Sequence, residues 1–225
     1  MTEMRTAAAG GRAGRTLVTL AVLLFGGAAL APTALAEGAP AVPLPAASAV
    51  EGARASMPPV GSVVSSELEA TDTRIELNAG LVALNLKGTL TQQVEPDPAG
   101  DPSISVRLKT TGFHVEGQSA DGRYRITIKL KGIDTDPRSL LRRTEGGYQE
   151  MDVIPVTMTI DETGKPSVVL ESASPVQFLA DLPSFPAQGD LYQLHMPVDL
   201  VVPGNSTPAA QIVDFPSLRT SRLSQ

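Results

Sequence analysis

The residues that most often carry acid–base or metal chemistry are scarce in this sequence. It has two histidines, His114 and His195, and no cysteine. Each histidine stands on the polar phase of an alternating stretch, beside Phe113 and Leu194 respectively. A zinc site needs three or four ligands, and the spacing of the remaining residues does not supply them. The sequence therefore predicts two surface histidines, with no catalytic residue, no metal site and no cofactor.

Motifs for nucleophilic catalysis and phosphate binding are missing from the sequence. No serine stands in a Gly-x-Ser-x-Gly elbow, and neither a GxGxxG motif nor a phosphate loop occurs. Acidic residues crowd two predicted turns, Glu95 to Asp101 and Asp134 to Asp136. Calcium binds oxygen ligands in such loops, but ordinary turns use the same residues. We interpret them as solvated turns, with a calcium-supported adhesion domain as the lesser alternative.

Basic side chains alternate along one predicted strand and recur on its expected neighbour. The strand carries Arg123 and Arg125, and the full basic stripe is Arg107, Lys109, Arg123, Arg125, Lys129 and Lys131. Such a stripe indicates either binding to an anionic polymer or acidic partner, or charge that keeps an exposed sheet from aggregating.

An apolar, aromatic and proline-rich segment spans Val176 to Pro186. It fits no strand or helix period, which predicts a cap over the open end of the β structure, the lining of a ligand pocket there, or a contact loop. The candidate ligand-binding residues are therefore Phe178, Leu182 and Phe185 of this segment, together with Arg123 and Arg125 of the basic stripe.

The elements that must position these residues are predicted from alternation of apolar and polar side chains. The clearest apolar phases contain Leu84, Leu86, Ile126, Ile128, Val156, Met158, Leu194 and Val198. The apolar phase changes between Leu108 and Phe113, which predicts a β-bulge near Thr111. Tyr192 to Val202 reads as one long final strand. The predicted fold is therefore all-β.

The strands are predicted to pair in an antiparallel β-sandwich of about seven to eight strands, each with one apolar face. A closed small β-barrel is the alternative. The sandwich is favoured because residues 133–147 break the alternation and suit a crossover between two sheets.

The first 36 residues have the three parts of a secretory signal peptide. A basic region precedes the apolar run Leu17 to Ala31, and Ala34-Leu35-Ala36 supplies a small-x-small cleavage pattern. Residues 37–60 are rich in Ala and Pro and are predicted to be a disordered linker. The remaining expectations are one β domain over 61–216 and a frayed tail over 217–225.

Composition limits the classes of partner. The chain is 42% apolar and 19% charged, and loss of the leader, with three Arg and one Glu, changes its net charge from −6 to −8. A net acidic chain argues against nucleic acid, and no transmembrane segment is expected after cleavage. The partner is unknown, and the possible ligands are a cell-surface component or a small molecule.

We predict an exported, non-enzymatic binding or structural module. The alternative is a β-barrel pocket for an apolar small molecule, as in a carrier or a cyclase- or isomerase-type enzyme.

Overall fold

The computed structural model describes residues 56–132 and 138–225. In these two ranges all strands pair antiparallel, and no helix could cross a membrane. The predicted all-β class is confirmed, but the predicted number of strands was too low, because the described residues form thirteen strands. They are β1 (Val63–Leu77), β2 (Gly80–Pro96), β3 (Ser105–Ser119), β4 (Tyr124–Leu130), β5 (Leu140–Thr144), β6 (Gly147–Ile154), β7 (Val156–Glu162), β8 (Val168–Ser172), β9 (Val176–Leu182), β10 (Gln188–Leu194), β11 (Val198–Val201), β12 (Pro208–Asp214) and β13 (Ser217–Ser224).

The predicted signal peptide, most of the predicted linker and the acidic turn at Asp134 to Asp136 lie outside the described residues.

The thirteen strands form one sheet that closes on itself twice. The first ring contains β1, β2, β3, β5, β6, β9, β10 and β13, and it closes where Val106 of β3 pairs with Leu141 of β5. The second ring contains β1, β2, β3, β4, β7, β8, β11 and β12, and it closes where Ile75 of β1 pairs with Ile212 of β12. The predicted sandwich would consist of two facing sheets, so the observed strand pairing is closer to the alternative prediction, a closed β-barrel.

Three long strands belong to both rings. β1 and β3 have 15 residues each and β2 has 17, which lets one half of each strand serve each ring. The pairing of β1 with β2 is interrupted between Ala70 and Thr73, where Asp72 has a φ of 56°. The predicted bulge at Thr111 is confirmed, since Thr91 pairs with Gly112 and the next residue pairs with Thr110. These irregularities bend the shared strands between the rings.

The predicted inward phases are confirmed for most core positions. Leu84, Ile126, Ile128, Val156 and Val198 are buried, whereas Leu194 is only half-buried. The reason is that the expected final strand is two strands, β10 and β11, separated by a bend at residues 195–197. Residues 140–144, which the sequence places in an irregular connection, form β5 and close the first ring.

The prediction of a frayed tail over residues 217–225 is wrong. Ser217–Ser224 form β13, which pairs with β1 on one side and β10 on the other. Its buried positions are Ser217, Arg219 and Ser221. Because this inner face is polar, the strand has no apolar phase for a sequence pattern to detect.

The interiors of the two rings contain different kinds of side chain. Large aliphatic side chains occupy the second ring, including Ile75, Leu84, Ile126, Ile128, Met158, Leu200 and Ile212. The inner face of the first ring adds buried polar and charged groups to its apolar residues, among them Gln92, Glu150, Asp152 and Arg219. The unusual chemistry of the molecule therefore lies in the first ring.

Candidate functional site

Five polar side chains from four strands meet inside the first ring, and we name them the charge cluster: Gln92, Glu150, Asp152, Tyr192 and Arg219. Glu150 and Asp152 are two residues apart on β6, so alternation points both carboxyl groups inward. The exposed fractions of Glu150, Asp152 and Arg219 are 3%, 0% and 1%. Charged side chains are rarely buried so completely unless they are paired.

The charge cluster is held by direct hydrogen bonds and ion pairs. Arg219 Nη1 donates to Asp152 Oδ2, and Gln92 Nε2 donates to the other oxygen, Oδ1, at 2.6 Å. The Tyr192 hydroxyl donates to Glu150 Oε2 at 2.8 Å. Arg219 Nη1 lies 4.0 Å from Glu150 Oε1. The contacts therefore join β2, β6, β10 and β13 through one network.

Two carboxyl groups share a single arginine, and this decides where the proton resides. Burial and, to a lesser extent, the negative charge of neighbouring Asp152 raise the pKa of Glu150 to about 8, against the opposing effect of Arg219. Glu150 is therefore mainly protonated at neutral pH. Because Arg219 is paired with Asp152, a neutral Glu150 leaves the charge cluster without an unpaired charge, which is the arrangement a poorly solvated site favours.

Aromatic rings enclose the guanidinium of Arg219. Its Cζ atom lies 3.8 Å from the centroid of the Tyr192 ring and 5.0 Å from that of Phe178. Phe178 in turn meets Phe215 edge-on at 5.1 Å between centroids. The face of an aromatic ring attracts a cation. The side chains of Tyr192 and Phe178 therefore hold the Arg219 guanidinium in place inside the first ring of strands. Burial raises the pKa of the Tyr192 hydroxyl and Glu150 adds to the effect, which keeps that hydroxyl protonated.

Within the described part of the chain, some buried side-chain atoms inside the first ring lack a hydrogen-bond partner. Arg219 Nε and Nη2 have no hydrogen-bond partner among the described residues, and neither does the hydroxyl of Ser217. Both residues belong to the inner face of β13. Ser217 pairs with Ala70 of β1 and with Tyr192 of β10, whereas Arg219 pairs with Leu68 of β1. Buried donors without acceptors are uncommon in proteins and call for an explanation.

The chemistry open to the charge cluster is proton donation and hydrogen bonding. A protonated carboxyl group at neutral pH is a general acid in many enzymes. Here it lies behind the wall of the first ring, with almost no surface in contact with solvent. The described residues contain no group of three or more His, Asp or Glu side chains placed to hold a metal ion.

The structure separates the sequence-predicted ligand residues into two places. Phe178 and Leu182 are buried on β9 in the first ring, and Phe185 is partly buried against Tyr148, 6.0 Å away between ring centroids. Their segment was expected to fit no strand period, yet Val176–Leu182 is a regular strand. Arg125 lies on β4, which belongs to the second ring, and Arg123 immediately precedes that strand.

Acidic neighbours neutralise much of the predicted basic stripe. Arg123 pairs with Glu162 at 2.6 Å, and Lys131 pairs with Glu171. Arg107 and Lys109 both lie within 3.4 Å of Glu95. These pairs favour the view that the stripe keeps an exposed sheet soluble. The two histidines are exposed, as predicted, and they belong to separate parts of the sheet.

Sequence reasoning missed the charge cluster because it predicted no strand over residues 148–153, whereas β6 runs from Gly147 to Ile154. Tyr148, Glu150, Asp152 and Ile154 alternate inward as one phase, so the available signal was two carboxylates between an aromatic and an aliphatic residue. A search restricted to apolar phases discards that signal. Arg219 was assigned to the tail for the same reason.

Comparison with known proteins yields one distant structural likeness. The chain matches no protein-family model and no curated protein. Among solved structures it is similar to DynF from the dynemicin biosynthesis pathway of Micromonospora chersina, with a TM-score of 0.49 and 14% identity. That alignment covers 72% of this chain and 80% of DynF.

Proposed function

We propose that this chain is an exported, non-enzymatic binding module whose ligand enters the first ring. The observation that supports a binding role is the pair of unpartnered donors on Arg219, at a side chain with 1% exposure. An eight-stranded closed ring is wide enough to be filled by side chains or to hold one small ligand. Buried donors that no described protein group satisfies favour the second use.

The contacts of Glu150 within the charge cluster argue against catalysis. A general acid must come within hydrogen-bond reach of the atom that it protonates. The carboxyl group of Glu150 is already engaged with the Tyr192 hydroxyl and lies next to Asp152. The histidines, which most often perform acid–base catalysis, lie on exposed positions apart from the charge cluster.

An enzyme that works by pocket shape is the second candidate, and the raised pKa of Glu150 favours it. A carboxyl group that keeps its proton at neutral pH could protonate a substrate that enters the ring. The candidates differ in one requirement, because only an enzyme needs Glu150 to release its proton.

Replacement of Glu150 by Gln separates the two candidates. Gln has the shape of a protonated Glu and keeps the interior neutral, but it cannot act as a carboxylic acid. The variant is placed in a host where deletion of the whole protein has a measurable phenotype, beside the double variant His114→Ala, His195→Ala. A binding module predicts that both variants behave like wild type.

The opposite result would favour the enzyme candidate. If Glu150→Gln or the histidine variant reproduces the deletion phenotype while the protein stays folded and exported, the enzyme candidate replaces the binding module. Thermal unfolding of each purified variant provides the check on folding.

A further inference from the structure

We propose that the free edge of Arg219 is the recognition element for an uncharged carbonyl oxygen of a small, mainly apolar ligand. The inference rests on the proposed function, because it names the ligand class of the same ring. Arg219 offers two N–H groups along one edge of its guanidinium, from Nε and Nη2, and the remaining nitrogen, Nη1, already donates to Asp152. We call the Nε and Nη2 pair the fork.

The geometry of the fork calls for an acceptor that can bind two donors at once. The planar guanidinium presents its N–H groups in fixed directions. A carbonyl oxygen has two lone pairs and can accept from both. Tyr192 and Phe178 lie close to the guanidinium and restrict its movement. The fork is thus held in place before a ligand arrives, which reduces the entropic cost of binding.

The charges around the fork select an uncharged ligand. Asp152 already neutralises Arg219, and Glu150 retains its proton because of burial and the nearby Asp152 charge. A carboxylate or phosphate on the fork would add a buried negative charge without a counterion, which is costly. A ketone, ester or amide carbonyl fills the fork and leaves the charge balance unchanged.

The surroundings of the fork offer contact surface to an apolar body, since Leu68 of β1 pairs with Arg219. Ser217 and Ser221 flank Arg219 on the inner face of β13, and Ala70 faces Ser217 from β1. Phe178, 5.0 Å from the guanidinium carbon, and its neighbour Phe215 provide aromatic surface. Among its described core residues, the second ring has no buried charged side chain, and most of its interior consists of large apolar side chains.

The test is titration of the purified protein with cyclohexanone, which joins one carbonyl to an apolar ring. The readout is the Arg219 Nε–H resonance in a nitrogen–proton correlation spectrum. We expect a saturable shift of that resonance with cyclohexanone. Methylcyclohexane, which lacks the oxygen, should not shift it, and cyclohexanecarboxylate should bind at least tenfold more weakly than cyclohexanone.

A matched pair of variants locates the site. Ser217→Val places a larger apolar side chain beside the fork and should weaken cyclohexanone binding at least tenfold. Leu218→Val changes the next residue, whose side chain is exposed on the outer face, and should leave binding within twofold. If Ser217→Val does not fold, the wild-type titration with its two control compounds still decides the question.

Three outcomes overturn the proposal. They are no saturable shift with cyclohexanone, an equal shift with methylcyclohexane, and tighter binding of cyclohexanecarboxylate. Each of these outcomes rules out a carbonyl group as the feature that Arg219 recognises. None of them decides whether the protein is a binding module, because that question depends on the phenotype of Glu150→Gln. A deletion-like Glu150→Gln phenotype, in turn, rejects the binding module even where cyclohexanone binds.

Discussion

Arg219 on the last strand donates a hydrogen bond to Asp152, a residue 67 positions earlier on β6. The contact spans the interior of the first ring, and both partners are almost completely buried. Glu150 is close enough to compete for the same guanidinium, at 4.0 Å from Nη1. One arginine between two carboxyl groups gives the protein properties that can be measured without knowledge of its ligand.

The first prediction concerns stability and pH. Burial raises the pKa of Glu150 from its ordinary value of 4.5 to about 8. A group with a raised pKa stabilises the fold fully below its unfolded-state pKa, and that contribution is lost as pH rises through the folded-state pKa. The free energy of unfolding should therefore contain a term that falls between about pH 4.5 and 8, by at most about 1.4 kcal/mol per pH unit.

Glu150→Gln isolates this term. The variant should lack the decline over that pH range, because its side chain does not ionise. Urea unfolding at several pH values, for both proteins, measures the difference. Parallel pH profiles for wild type and variant would show that Glu150 is not protonated in the folded protein.

The second prediction compares the two partners of the central ion pair. Arg219→Gln leaves Asp152 as an uncompensated buried charge and should cost about 3–5 kcal/mol of unfolding free energy. Asp152→Asn should cost clearly less, because Glu150 can ionise and take over as the partner of Arg219. The measurement is urea unfolding at pH 7. Equal costs for the two variants would mean that Glu150 does not substitute for Asp152.

The third prediction concerns the C-terminal strand. A chain that ends at Pro216 lacks β13, so β1 and β10 lose their shared partner and the first ring opens. It also loses Arg219, which leaves both buried carboxyl groups unpaired. We expect this chain to be unfolded or aggregated, whereas removal of Gln225 alone should leave the melting temperature unchanged. A cooperative unfolding transition in the truncated chain would contradict this assignment.

The fourth prediction compares two leucines on neighbouring strands. Leu68 on β1 has 1% exposure, and Leu218 on β13 has 49%. Replacement of Leu68 by Ala should cost about 2–5 kcal/mol, as for other buried leucines. The same change at Leu218 should cost at most about 0.5 kcal/mol. Similar costs measured by chemical unfolding would show that the inner and outer faces are wrongly assigned.

The fifth prediction concerns export. The tripartite leader predicts cleavage after Ala36, so the protein recovered from the culture medium should begin at Glu37. Intact mass spectrometry measures this directly. A mature product that still contains residues 17–31 would exclude the predicted cleavage.

The sequence by itself determined the class of the fold and most of its inward phases. Alternation along Tyr124–Leu130 and Val156–Glu162 predicts strands with one buried face, because successive side chains of a strand point to opposite sides. The bulge at Thr111 was also predictable, since one additional residue reverses the phase of everything that follows it. Both features are local consequences of residue order.

Only the tertiary structure decided how the strands close and where the charges meet. The pairing of β1 with both β12 and β13 depends on contacts between the two ends of the chain, which no local pattern specifies. Glu150, Asp152 and Arg219 look like solvent-facing residues in the sequence, because hydrophobic periodicity assigns charge to the outside. They can be buried because each supplies what the others need, and that compensation exists only after distant strands have come together.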